Sequence, residues 1–63
     1  MTQKELAYIE DAIGHEKSII KICEDSLTRM EDSSLKDFIQ GEISKHQDMK
    51  EKLMTLLEEK VNG

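Results

Sequence analysis

Apolar side chains recur along the first half of the chain at alternating steps of three and four: Leu6, Ile9, Ile13, Ile20, Cys23, Leu27 and Met30. Glu16 fills the one polar place in the series. That is the period of an α-helix with one buried face. Ala12, Ile19 and Ile22 widen the stripe on one side, beyond the narrow seam of a two-stranded coiled coil. A second stripe runs through Leu35, Ile39, Glu42, His46, Met49, Leu53 and Leu56, flanked by Phe38, Ile43 and Leu57. The two stripes are out of phase. Continuing the first would bury Ser34, Asp37, Gly41 and Ser44. The slip falls on Glu31-Asp32-Ser33-Ser34, residues that favour caps and turns over helix interiors. The pattern predicts one domain over 1–63, with a helix over about 3–31, a turn over about 32–34 and a helix over about 34–61.

The ends carry their own signals. Thr2-Gln3-Lys4-Glu5 reads as a capping box, with Met1 and Leu6 at the two places of a hydrophobic staple. Asp32 or Ser33 is the expected N-cap of the second helix, and Asn62-Gly63 its stop. One unbroken helix is the competing arrangement, and the coincidence of phase slip and cap cluster speaks against it. A short turn makes the helices antiparallel neighbours, each about 40 Å long at the usual rise per residue. The expected fold is therefore all-α, an antiparallel two-helix hairpin. Two helices leave part of each stripe uncovered, and a second hairpin would complete a four-helix bundle.

Size points the same way. A chain of 63 residues buries only about 60% of the surface its unfolded form exposes, and small chains compensate with disulfides, metals or oligomerisation. Cys23 is the single cysteine, so no intrachain disulfide forms. One Cys and two His lack zinc-finger spacing. A homodimer or larger homo-oligomer is the remaining remedy. Proline is lacking and Glu, Lys, Leu, Ile and Met dominate, a helix-favouring composition. The net charge of −5 repels phosphates, which argues against nucleic acid or an anionic membrane as partner. No apolar run approaches the roughly 20 residues of a membrane span. Met1 to Glu5 leads straight into polar helix, unlike a signal peptide. One unpaired cysteine and four methionines suit a reducing interior, so a cytoplasmic protein is expected, or one laid down on something made inside a cell.

The candidate chemistry lies in the polar places of the stripes. Glu16, Glu42 and His46 occupy core-type positions, and a turn near Asp32 brings Glu16 to the height of His46. A symmetric dimer would double this layer in the bundle centre, where bundle proteins build metal sites. Two readings stand. Glu16 and His46 can simply hydrogen-bond and fix the register. Alternatively Glu16, Glu42 and His46 bind a transition metal such as iron, manganese or zinc. The Glu-x-x-His spacing of di-iron bundles does not occur, since Glu42 and His46 stand four apart. His15-Glu16 opens like a zinc-protease motif, but Ile19 stands where the second His is required. Cys23 reads as a small buried hydrophobe. Gly14 and Gly41 each cost about 1 kcal/mol against Ala within a helix. They are either close-approach points or tolerated surface positions.

Three segments carry a resemblance: Leu6-Ala7-Tyr8-Ile9-Glu10-Asp11-Ala12-Ile13-Gly14-His15-Glu16-Lys17, Asp32-Ser33-Ser34-Leu35-Lys36, and Lys45-His46-Gln47. They resemble the short bacterial spore-coat F-like proteins, which look like half of a ferritin-like bundle closed by dimerisation. The resemblance implies a structural role in spore-forming bacteria, without established enzymology, and spore association. Of the Glu and His ligands of the wider ferritin-like group, it offers counterparts at Glu16, Glu42 and His46, with Lys45 and Met49 standing near further ligand places. The leading expectation is a non-enzymatic structural or interaction protein with no cofactor. The alternatives are a minimal metal-binding four-helix bundle, or a small regulatory hairpin docking on a signalling protein through Tyr8, Met54 or Val61.

Overall fold

A computed structural model describes residues 1–62 and shows two helices, α1 (Gln3–Leu27) and α2 (Ser33–Asn62), packed as an antiparallel hairpin. Among the described residues there are no strands. The hairpin measures 46 × 15 × 11 Å, the length expected of helices rising about 1.5 Å per residue. The expected stop at Asn62-Gly63 ends on a residue outside those described.

The first helix starts where the sequence places it. Thr2 is the N-cap: its Oγ1 accepts from the Glu5 backbone N–H at 3.0 Å, and Glu5 Oε1 accepts from the Thr2 N–H at 2.8 Å. The Thr2 backbone N–H, helped by the Thr2 side chain, holds the Glu5 carboxyl below its ordinary pKa.

The end of α1 differs from expectation. It stops at Leu27, not near residue 31, so the turn runs from Thr28 to Asp32. Hydroxyls and charges explain the early stop. Thr28 Oγ1 donates to the Asp25 carbonyl at 2.7 Å, and Ser26 Oγ donates to the Ile22 carbonyl at 2.8 Å. Such local bonds compete with further helix. Glu24 and Asp25 lie against the negative end of the helix dipole, and the last turn carries no basic residue. Met30 is half-buried although it lies beyond the helix.

Asp32 caps α2. Its Oδ1 accepts from the Leu35 N–H at 3.0 Å and from Ser34 Oγ at 2.7 Å, while its carbonyl takes the first helical bond from Lys36. The Ser34 hydroxyl and the Leu35 N–H lower the Asp32 pKa.

Among the described residues Ile13, Glu16 and Ile20 are the buried ones. On α2 the half-buried side chains include Ile39, Ile43, His46, Leu53 and Leu57, and His46 bonds Glu16 directly. This face is rotated from the expected stripe: Leu35, Met49 and Leu56 are exposed, as are the flankers Phe38 and Ile22. One neighbouring helix covers only one side of another, so the outer part of a wide stripe stays in solvent. No described side chain is fully buried.

Gly14 and Gly41 lie mid-helix, and a Cβ on either would meet nothing within 4 Å. Close approach inside the hairpin is thus not their role. Gly14→Ala is expected to stabilise the fold by up to about 1 kcal/mol, and Thr2→Ala to destabilise it by about 1 kcal/mol, both read from chemical denaturation. The Asp32 cap gives a pH signature. Its folded pKa is depressed, so its contribution is complete above the unfolded value and is lost as pH falls through the folded one. Asp32→Asn should therefore flatten the acid limb of the stability profile while leaving stability near neutrality almost unchanged.

Candidate functional site

The polar positions of the two helices converge halfway along the hairpin. Glu16 lies in the middle of α1 between Ile13 and Ile20, and helical spacing aims all three at α2. From α2, His46 reaches back, and its Nδ1 hydrogen-bonds Glu16 Oε2. An ionised carboxylate can only accept, so with Glu16 in that form the contact requires a proton on Nδ1. The ring's other nitrogen, Nε2, lies 3.8 Å from Glu42 Oε2, too long for a hydrogen bond. Lys45 Nζ lies 3.4 Å from Glu42 Oε1, near the surface. The Glu16 side chain is 10% exposed and that of His46 22%, against 29% for Glu42. The layer thus grades from a closed contact at Glu16 to an open one at Glu42.

All three candidate residues are brought together, at the height that the turn implied. Lys45, which the resemblance placed only near further ligand positions, pairs with Glu42 across one turn, a spacing of three visible in the sequence. Met49 is about half exposed and stands outside the cluster. His15 is exposed and Cys23 half-buried. Every buried polar side-chain atom among the described residues has a hydrogen-bond partner. No family model matches the chain, and no match is found among the curated proteins or the solved structures.

Two kinds of chemistry are open to this arrangement. As a hydrogen-bonded layer it fixes which turn of α1 faces which turn of α2, because a carboxylate moved one turn away would be left unpaired in an apolar setting. As a metal centre it would use His46 Nε2 and Glu42, with Glu16 behind the imidazole as the carboxylate that orients a ligating ring. Within one hairpin that gives two ligands, short of the three or four protein ligands of zinc sites. Among the described residues no group of three His, Cys, Asp or Glu side chains is arranged to hold a metal ion.

The register role has a measurable signature. Glu16→Leu or His46→Leu alone leaves the other group unpaired and should cost about 1–3 kcal/mol. The double replacement should regain most of that loss. A double-mutant cycle by urea denaturation reads the coupling directly, and strictly additive losses would remove the assignment.

Proposed function

We propose that the chain is a non-enzymatic structural or interaction protein, a helical hairpin that works by associating with a second copy to form a four-helix bundle. The observation that carries this reading is the apolar surface that the hairpin leaves in solvent. Tyr8, Ile22 and Phe38 are each more than 60% exposed, and Leu35, Met49 and Leu56 are exposed as well. A chain of 63 residues with no fully buried side chain among those described has little core of its own. Small domains of this kind are commonly completed by oligomerisation. The resemblance to spore-coat F-like proteins supports the same architecture and supplies a setting, a structural part of a spore. Among the described residues no helix is long and apolar enough to cross a membrane.

A second reading rests on the Nε2–Glu42 geometry. In a dimer the layer is doubled, and His46 with Glu42 from both copies would offer four ligands to iron, manganese or zinc. Such a bundle would be a minimal metal-binding protein.

Sedimentation at micromolar concentration is expected to give twice the chain mass, with a melting temperature that rises with protein concentration. A folded monomer whose melting is independent of concentration would overturn the leading reading. Elemental analysis after purification without chelators separates the second. Stoichiometric metal lost in both His46→Leu and Glu42→Leu would establish it, and metal-free dimer would dismiss it.

A further inference from the structure

The exposed apolar side chains are not spread evenly around the hairpin. Helical spacing places exposed Tyr8 and Ile22, with half-buried Ala12 and Ile19, along one edge of α1, and exposed Phe38, Met49 and Leu56 along one edge of α2. The handedness of two antiparallel helices turns both edges to the same side. Side-chain neighbours agree: Leu56 lines a groove with Glu5 and Ile9. On the opposite side, Met54 lines a groove with Glu10, Ile13, Gly14, Lys17 and Leu57, and helical spacing adds Lys21, Gln40, Gln47 and Glu58 to that side. The hairpin therefore has one apolar broad face and one polar broad face.

We infer that the apolar face is covered by a second copy of this chain, placed antiparallel, with the two-fold axis crossing the helices at the height of His15 and Gln47. This rests on the self-association proposed above and specifies its geometry. Three observations lead to it. The first is position. Glu16 and His46 are level, so His15 and Gln47 are level too. Tyr8 and Ile22 lie seven residues either side of His15, and Phe38 and Leu56 nine either side of Gln47. One axis therefore sets Tyr8 on Ile22 of the partner subunit and Phe38 on Leu56 of the partner subunit at the same time. Nothing in the hairpin's own packing requires the two helices to share that centre.

Charge supplies the second observation. Glu42 and Lys52 lie five residues either side of Gln47, so each Glu42 meets Lys52 of the partner subunit. Lys45 and Met49 lie two residues either side, which lays Met49 along the aliphatic stem of the partner's Lys45. The third observation is area. A face of 46 by 15 Å offers about 700 Å² per copy in flat projection, close to the ~800 Å² per partner of a standard specific interface.

Cysteine crosslinking tests the axis. With Cys23→Ala as background, His15→Cys should form a disulfide-linked dimer quickly under native oxidation and not in denaturant, because the axis brings the two copies of this position together. Met54→Cys on the polar face should not. Glu42→Lys should weaken the dimer at least about tenfold through repulsion from the partner's Lys52, and adding Lys52→Glu should restore it. Circular dichroism confirms that each variant keeps its helices. A wild-type dimer in which His15→Cys fails to crosslink, or in which Met54→Cys does so instead, overturns the inferred face and axis while leaving self-association standing. A monomeric wild type overturns both.

Discussion

Two helices in contact have only one line along which to exclude water, and every feature of this hairpin follows from that shortage. A single neighbour covers a narrow stripe of each cylinder, roughly the two residues per turn of a coiled-coil seam. Both helices carry apolar side chains over a wider arc. Ile13 and Ile20 therefore reach burial, while Ile22 and Phe38, apolar and equally helical, stay in solvent. The hairpin holds its shape through the central seam, through caps at Thr2 and Asp32, and through one polar contact across the middle.

That contact does a job which apolar packing does poorly. On α1 the residues Ile13, Ile20 and Leu27 stand one heptad apart and are nearly interchangeable, so apolar packing alone does little to tell one turn of α1 from the next. Glu16 and His46 are unlike anything else on the buried seam, so only one alignment satisfies both. Specificity of this kind is paid for in desolvation, and it is a known use of buried polar residues in helical assemblies.

The fold was largely legible in the sequence, and the reasons it was legible also mark where the reading failed. The capping box at Thr2 and the cap at Asp32 are local features, and each appears at an expected residue, while the break between the stripes is present but begins at Thr28, earlier than expected. The polar layer was visible because charged residues at core positions stand out against a regular period. Two things were not visible. The end of α1 depends on Ser26 and Thr28 hydroxyls turning back to the Ile22 and Asp25 carbonyls, a choice that periodicity does not register. The apolar period continued to Met30, which remains half-buried without being helical. The rotation of α2 is the second miss. A wide stripe shows which side chains avoid water in the complete assembly, not which of them meet the first neighbour, so Leu35, Met49 and Leu56 could not be told apart from Ile39, Ile43 and Leu57. At the candidate site the residue set and its height were readable, whereas the division of labour between the two imidazole nitrogens needed coordinates.

The phase slip at the turn has a consequence for how two copies can exchange parts. Helical hairpins are prone to arm exchange, in which the turn straightens and each chain's second helix packs on the other chain's first. Here Glu16 of one chain would meet His46 of another as readily as its own, so the polar contact offers no protection. The slip does. Were residues 28–32 to become helical, the buried faces of α1 and α2 would point in different directions around one continuous rod, and a straight partner could not cover both. The five residues of the turn therefore keep each chain folded on itself, and they do so through a misfit in the opened form that no contact within the closed hairpin reveals.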